Sequence, residues 1–484
     1  MTLTIIGAGP GGYETAVAAA AKGIEVYIVS SGPVGGTCLN EGCIPTKALC
    51  RNAEVLEDLR NAGKFGVETG DFKFDIGGAM ARKDEVVSQL RGGIEFLLKN
   101  KLIHLVYGKA SFKDNHTVAV QAEDGSTSEI SSDYIIIATG SQSAMLPIPG
   151  TDLEGVITSR EILNIDHVPQ RLCVIGAGVI GLEFASVFSS FGSEVTVLEY
   201  CKDVLPRFDT DMAKRLKQAL GKRGINIETA AQVQAIEKTE EGLQVAFLKK
   251  DKECNVLADN VLMAVGRRPA VDTLNLADAG IEFTPKGIVT DANMRTSVPH
   301  IFAVGDVRGG MMLAHVASAE GERALNTMMA EASGIVPECP LKDGIDLDII
   351  PSAVFTTPEV ATVGMTEDTC KETGIKVKCL KSMYRANGKA LAMDAPEGYC
   401  KIIAADEGSD FIPGQILGCH IMGAHASDII QEITVLMNKK GTVDDIRKIV
   451  HPHPTLSEVI LNAARQGLSE TSFSMHLKAF SSRP

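Results

Sequence analysis

Apolar runs, glycine turns and helix-spaced apolar positions follow one another in the same order in two distant parts of the chain. Residues 3–30 open with the apolar run Leu3-Thr4-Ile5-Ile6 and turn through Gly7-x-Gly9-x-x-Gly12. They continue through an Ala-rich helical stretch and return to Val26-Tyr27-Ile28-Val29. Residues 172–199 repeat the pattern with Leu172-Cys173-Val174-Ile175, Gly176-x-Gly178-x-x-Gly181, a helical stretch and Val195-Thr196-Val197-Leu198. In both copies the residue ending the second strand, Ser30 or Glu199, follows the first glycine by 23 positions. Strand, glycine turn, helix, strand is the opening of a dinucleotide-binding βαβ unit. The first glycine makes the tight turn, the second lets the backbone approach a pyrophosphate, and the third lets the helix pack close to the strand. The helix N-terminus then offers its N–H groups to the anion.

Elsewhere the patterning is less periodic. A charged, helix-patterned region spans about 46–100, and alternating strand-like segments fill 102–138. Tyr134-Ile-Ile-Ile-Ala-Thr-Gly140, Val261-Leu-Met-Ala-Val-Gly266 and Ile301-Phe-Ala-Val-Gly305-Asp306 each read as a buried strand meeting a glycine turn. Pro147-Ile-Pro-Gly150 breaks structure and marks a domain edge. From about 345 the chain mixes strands (398–403 and 415–420) with a helix over 428–439, without a glycine fingerprint. The expected fold is α/β, with two Rossmann-like nucleotide-binding domains and a C-terminal α+β domain. The expected segments are 1–145 and 268–344 for the first nucleotide domain, 146–267 for the second, and 345–484 for the C-terminal domain.

Composition narrows the function classes. With 484 residues and a net charge of −14, the chain has no polybasic surface for nucleic acid or an anionic membrane. No apolar stretch reaches the ~18 residues of a membrane span. The first strand begins almost at Met1, leaving no room for a charged leader and cleavage region, so a reducing cytoplasm is the expected compartment. Eleven cysteines are too few for a disulfide scaffold in a chain of this length. Nine of them (Cys50, Cys173, Cys201, Cys254, Cys339, Cys370, Cys379, Cys400 and Cys419) are scattered and read as small core or surface residues.

Cys38 and Cys43 differ. They lie in Gly35-Gly36-Thr37-Cys38-Leu39-Asn40-Glu41-Gly42-Cys43-Ile44-Pro45-Thr46-Lys47, a spacing that suits no common zinc site and has no accompanying Cys or His pair, so no metal is expected. A bridge closing so small a loop would constrain little chain entropy. Redox chemistry is the better reading of such a pair in a reducing compartment. Lys47 follows Cys43 by four positions and shares its face if the stretch is helical, though Pro45 should distort or restart the helix there. A lysine cation beside a thiol favours the nucleophilic thiolate.

Taken with the two fingerprints, with Thr296-x-x-x-x-Ile-Phe-Ala-x-Gly305-Asp306 and with the tail motif His451-Pro-His453-Pro-Thr-Leu-Ser-Glu458, the cysteine run resembles the pyridine nucleotide–disulfide oxidoreductase family over essentially the whole chain. The resemblance implies FAD on the first glycine unit and NAD on the second. It implies that Asp306 holds the flavin's ribityl chain with Ala314 close behind. Gly36, Thr37, Gly108 and Gly140 would approach FAD through the backbone, and Gly266 would border the NAD site. Lys47 would lie near the flavin and pair with Glu183. Cys43 would face the flavin and Cys38 the substrate. His453, oriented by Glu458, would be the base, serving the cysteines of a partner subunit in a homodimer joined through residues 345–484. His451 is the weaker candidate for that role.

Thiol–disulfide exchange needs a thiolate and returns a proton, and an imidazole titrating near neutrality can carry it. Glu199 at the end of the second unit's strand accepts hydrogen bonds from a ribose 2′-OH and repels a 2′-phosphate, which selects NAD over NADP. At the equivalent place in the first unit the family carries a carboxylate. Here Ser30 stands in a loop one residue shorter, and a hydroxyl grips the FAD ribose more weakly than a carboxylate.

Within the family, Leu39-Asn-Glu-Gly, Lys47-Ala-Leu and the histidine motif are most similar to the lipoamide-specific dehydrogenases. The resemblance implies electron transfer between dihydrolipoamide and NAD. The protein partner would be a lipoyl-bearing acyltransferase or carrier protein of a 2-oxo acid dehydrogenase or glycine-cleavage complex. The stretch from Ser474 to Pro484 has no cysteine, unlike relatives that relay electrons through a C-terminal sulfur pair. The alternatives are an NADH-dependent reductase of another small disulfide, and a flavin- and NAD-binding structural or redox-sensing subunit.

Overall fold

The structure, a computed structural model, describes residues 1–466; the cysteine-free stretch from Ser474 lies outside the described residues. The first glycine unit builds a five-stranded sheet in the order Ile301–Ala303, Tyr134–Ile137, Thr2–Ile6, Glu25–Ser30, Ile103–Tyr107, every neighbour parallel. Parallel strands are covered on both faces, which is why these segments read as continuous apolar runs. The helix Pro10–Ala21 packs against the long helix Ala314–Ala332 through small residues. A Cβ added at Gly321 would lie 2.0 Å from the Thr15 hydroxyl, so the two helix backbones approach as only glycine allows.

The second glycine unit builds the same architecture, in the order Asn226–Thr229, Glu194–Glu199, Arg171–Ile175, Asn260–Met263, Val156–Ile157, again all parallel. The duplication runs further than the fingerprints. Each parallel sheet is interrupted by a three-stranded antiparallel meander, Lys109–Phe112/Thr117–Gln121/Thr127–Ser131 before the strand Tyr134–Ile137 in the first and Ala231–Thr239/Gly242–Lys249/Lys252–Ala258 before the strand Asn260–Met263 in the second. The returning segment Arg267–Pro269 pairs with Ser141–Ser143 and leads the chain back to the edge of the first sheet.

The charged region of 46–100 becomes the helices Cys43–Asn61 and Ile76–Leu97, inserted between the strands Glu25–Ser30 and Ile103–Tyr107 of the first sheet. Pro45 neither breaks nor restarts the first of these. It sits in the opening turn, where the N–H has no intrahelical partner to lose.

The C-terminal sheet is antiparallel, ordered Ser352–Val354, Val360–Gly364, Ile416–Met422, Tyr399–Ala405, Val377–Met383, with helices Ala426–Asn438 and Glu458–Arg465 packed on it. Its other contacts reach the second nucleotide unit. Val354, Val360, Tyr399 and Met422 share a core with Phe184, Phe188 and Leu216. Lys401, 1% exposed, donates to both oxygens of Asp209 at 2.9 and 2.8 Å and pairs with Glu367 at 2.6 Å. Removing one member of such a buried pair leaves an uncompensated charge and costs about 3–5 kcal/mol. Among the described residues no helix is long and apolar enough to cross a membrane.

Candidate active site

The C-terminal ends of both parallel sheets open onto one cavity of about 2470 Å³. Its wall takes Gly7 and Gly9 from the first turn, Gly176 and Gly178 from the second, and the sulfur loop from Gly36 to Lys47. Gly12 and Gly181 lie behind the wall. A Cβ at either would meet the carbonyl oxygen of the first glycine, at 1.9 and 2.0 Å, so each helix begins pressed against its own turn. In front of Gly178 there is open space, and Gly9 meets only Gly36 at 3.8 Å. Two helix N-termini, Pro10–Ala21 and Val179–Phe191, therefore present free backbone to two extended grooves, which fits two pyrophosphates.

The sulfur loop is held in place by its surroundings. Cys38 sits in the short helix Gly36–Glu41, and Cys43 opens the helix Cys43–Asn61. Between them Asn40 donates to the carbonyls of Val34 (3.0 Å) and Gly36 (2.9 Å) and accepts from Arg91 at 2.6 Å. The Cys43 thiol is lowered to about 7, first by the hydrogen bond from Cys38 and then by the Lys47 cation, against the opposing effect of burial. Cys38 moves the other way, because it donates to Cys43 and is desolvated. The arrangement keeps one sulfur as thiolate and its neighbour as donor.

One helical turn beyond Cys43, Lys47 donates to both oxygens of Glu183 at 3.0 and 2.9 Å. The same carboxylate accepts the Phe355 amide at 3.0 Å, and the ammonium lies 4.4 Å from the centre of the Phe355 ring. Three segments, from the first unit, the second unit and the C-terminal sheet, thus meet at one lysine beside the sulfurs.

At the far side of the cavity Asp306 accepts from Ser141 at 2.5 Å, and Arg267 donates to the Ser141 hydroxyl at 2.7 Å and to its carbonyl at 2.8 Å. Ala314 starts its helix on the same wall, and Thr37, Gly108, Gly140 and Gly266 also border the cavity.

The ends of the second strands of the two units differ. Glu199 is buried and accepts from the amides of Ala177 (2.6 Å) and Cys201 (2.7 Å). A carboxylate has about four lone-pair sites, so two remain for further donors. Ser30 instead donates to the carbonyl of Gly32 at 2.7 Å, inside its own turn. The amide of Ala8, equivalent to that of Ala177, has no protein acceptor among the described residues.

His453 is not on this cavity. It is 79% exposed, its Nδ1 held by Glu458 at 3.0 Å, on the surface of the C-terminal domain. The side chain of His451 is buried and bonded to Glu432 at 2.9 Å. Sequence reasoning missed Asn40, Arg91, Phe355, Ser141 and Arg267. Only Asn40, lying between the cysteines, offered a local cue. Among the described residues no cluster of three or more His, Cys, Asp or Glu could hold a metal ion.

The chain matches the family described as pyridine nucleotide-disulphide oxidoreductase over residues 1–321, and the dimerisation domain of that family over 350–464. It is 37% identical to the dihydrolipoyl dehydrogenase of Bacillus subtilis (strain 168) over 466 residues, 96% of this chain and 98% of the relative. It is 38% identical to the dihydrolipoyl dehydrogenase of Haloferax volcanii over 475 residues, 97% and 96% of the two chains. Among solved structures it is similar to the HOCl-induced flavoprotein disulfide reductase RclA from Escherichia coli in its Cu(II) complex. That likeness has a TM-score of 0.84 and 30% identity over 96% of this chain and 99% of that one. It is also similar to LpdA from Mycobacterium tuberculosis, with a TM-score of 0.85 and 27% identity over 97% and 100% of the two chains. Two nucleotide grooves converging on a thiolate-forming sulfur pair, in a chain matched over nearly all of its length, leave one conclusion: this protein belongs to the pyridine nucleotide–disulphide oxidoreductase family and works with FAD and NAD(H).

Proposed function

We propose that the chain is a dihydrolipoyl dehydrogenase, oxidising a lipoyl dithiol and reducing NAD through FAD and the Cys38–Cys43 disulfide. The carrying observation is the Cys43 thiol lowered to about 7 beside the Lys47–Glu183 pair, on a cavity that both glycine units share. The first unit is the fitting groove for FAD, with Gly9 and Gly36 at the pyrophosphate, Asp306 and Ser141 at the ribityl chain, and Gly108 and Gly140 as backbone neighbours. The second unit is the fitting groove for NAD, bounded by Gly178, Glu199 and Gly266. The chemistry supplied by bound FAD is the two-electron relay between the reduced sulfur pair and NAD.

The residues of the chain do the rest. His453 of the partner subunit, its ring oriented by Glu458, takes a proton from the first substrate thiol. The resulting thiolate attacks Cys38 Sγ, a substrate–Cys38 bond forms as the Cys38–Cys43 bond breaks, and Cys43 leaves as thiolate. The second substrate thiol attacks the substrate sulfur of that bond and closes the substrate disulfide. Cys38 is released as a thiol, receiving the proton the base carries, and the base then takes up the proton of the second substrate thiol. Lys47 holds the Cys43 thiolate electrostatically, and Glu183 fixes Lys47.

The exposed position of His453, away from the cavity of its own chain, supports a base delivered across a homodimer. A lipoyl-bearing acyltransferase or carrier protein of a 2-oxo acid dehydrogenase or glycine-cleavage complex is the partner whose chemistry suits the site. A cytoplasmic, reducing setting suits a pair that must open at every turnover.

The purified protein with NADH and lipoamide tests the reading: rapid turnover is the expected result. Turnover only with another small disulfide would favour the reductase reading, towards which the RclA likeness points. No turnover with any disulfide would leave a structural or sensing subunit. Glu199→Ala combined with Tyr200→Arg should raise kcat/KM for NADPH relative to NADH by about tenfold or more, since a repelling carboxylate gives way to a guanidinium. A native protein that already prefers NADPH would overturn the role given to Glu199.

A further inference from the structure

The histidine motif contains two dyads, and the reaction uses only one. His453 with Glu458 is the exposed one. The other is His451 with Glu432, and its geometry is that of a fixed anchor. The His451 side chain is 4% exposed, against 79% for His453 two residues later. Its Nε2 meets Glu432 Oε1 at 2.9 Å, and its Nδ1 meets the carbonyl of Ile449 at 3.1 Å. Both ring nitrogens are therefore engaged, and the ring has no remaining polar atom for substrate.

The partner carboxylate stands on stiff ground. Glu432 belongs to the helix Ala426–Asn438, whose Ile430, Ile433 and Met437 are buried in the C-terminal core. The N-terminus of that helix is pinned by Glu359, which accepts from the amide and hydroxyl of Ser427 at 3.0 and 2.8 Å. The segment that His451 tethers is held by the rest of the domain only on its far side. Ile449 and Val450 are 43% and 93% exposed, and beyond His453 the Thr455 carbonyl accepts from Asn387 at 2.9 Å, its amide donates to Glu458 at 2.9 Å, and Leu456 is buried in the C-terminal core.

We propose that His451 and Glu432 form a positioning dyad that fixes the strap carrying His453, so that the base keeps its place against the sulfurs it serves. The proposal rests on His453 being the base. A displacement of about 1 Å at a catalytic group can lower turnover by about a hundredfold without loss of folding, which is the effect this tether prevents.

His451→Phe removes both ring-nitrogen contacts while retaining an aromatic ring. His451→Gln restores a donor near the position of Nε2. The full-length protein carrying FAD is assayed for dihydrolipoamide oxidation by NAD, and separately for NADH oxidation by ferricyanide, which needs no thiol base. For His451→Phe, kcat with dihydrolipoamide should fall by about tenfold or more. KM for the dithiol should stay within about twofold, the ferricyanide rate should be unchanged, and His451→Gln should recover most of the loss. Glu432→Ala should reproduce the loss.

Wild-type kcat in His451→Phe would overturn the proposal. So would an equal fall in both reactions, or a Gln variant no better than Phe. His453→Gln, measured in parallel, separates the two claims. Full dithiol turnover in that variant would remove the base reading itself, whereas its loss beside an unaffected His451→Phe would remove only the dyad.

Discussion

Two pairs of cysteines approach each other in this chain. Cys38 and Cys43 face a cavity from the start of a helix, with a lysine one turn away. Cys400 and Cys419 lie on neighbouring antiparallel strands of the C-terminal sheet, both 0% exposed, with their sulfurs 3.9 Å apart. The first pair gains a thiolate, because Cys38 donates to Cys43 and Lys47 stabilises the charge. In the second, burial pushes the Cys419 thiol far up, and its contact with Cys400 and then the carboxylate of Glu432 oppose ionisation further. Sulfur proximity alone therefore does not make a redox site. Exchange needs an ionisable sulfur, a cation beside it and a way in for the partner thiol.

The largest expected difference between the pairs is catalytic. Cys43→Ser should lower dihydrolipoamide turnover by about a thousandfold or more, because no other sulfur of the loop can take its place as leaving group. NADH should still bleach the flavin of that variant in anaerobic stopped-flow measurements, since hydride entry does not pass through the sulfurs. Normal dithiol turnover would break the comparison at its root.

A smaller and more diagnostic effect is the pH at which Cys43 becomes reactive. The folded protein holds this thiol at about 7, against 9 for the free group, so in the reduced enzyme alkylation should rise with pH through neutrality. Below that point the sulfur is protonated and slow; above it the thiolate dominates. Lys47→Gln removes the attraction and leaves Glu183 unpaired, and the midpoint should move up by about one unit. Cys38→Ala should move it further, because the hydrogen bond from Cys38 outweighs the lysine. Iodoacetamide labelling read by mass spectrometry over a pH series checks the order. Should the lysine variant shift more than the cysteine variant, the electrostatic account of the pair would need to be inverted.

The same contrast explains what could be read from the amino-acid order. The glycine turns and the Cys38–Lys47 run are local: every part of the signal lies within about one βαβ opening, where spacing and chemistry are tied together. Lys47 with Glu183, 136 positions apart, was legible only through likeness to a family. The clamp of Asn40 by Arg91 and the bridge from Arg267 through Ser141 to Asp306 were not legible, because each joins residues from separate elements and no periodicity records such contacts. Pro45 was misjudged for a different reason. Its effect depends on whether it falls inside a helix or in its first turn, and the sequence leaves that boundary soft. The two meanders also escaped, since short amphipathic strands lack a fingerprint; with them the duplication covers most of each nucleotide unit. Cys400 and Cys419, read only as core or surface residues, lie in the core, and their contact was invisible from positions 19 apart.

The buried pair offers the finest test of the contrast, because there the expected catalytic effect is nil. Cys419→Ser keeps the size of the side chain almost unchanged and replaces a weakly polar thiol with a hydroxyl in an apolar layer beside Ile402 and Ile421. Burying a hydroxyl with an imperfect partner costs about 1–3 kcal/mol, so the variant should melt at a lower temperature by calorimetry. Dihydrolipoamide turnover per folded molecule should stay within about twofold, since sites far apart act independently. A fall in turnover with the melting temperature unchanged would mean that electrons or strain pass through the second pair. The difference between the two sulfur environments would then be one of degree, and burial would no longer separate a structural cysteine from a working one.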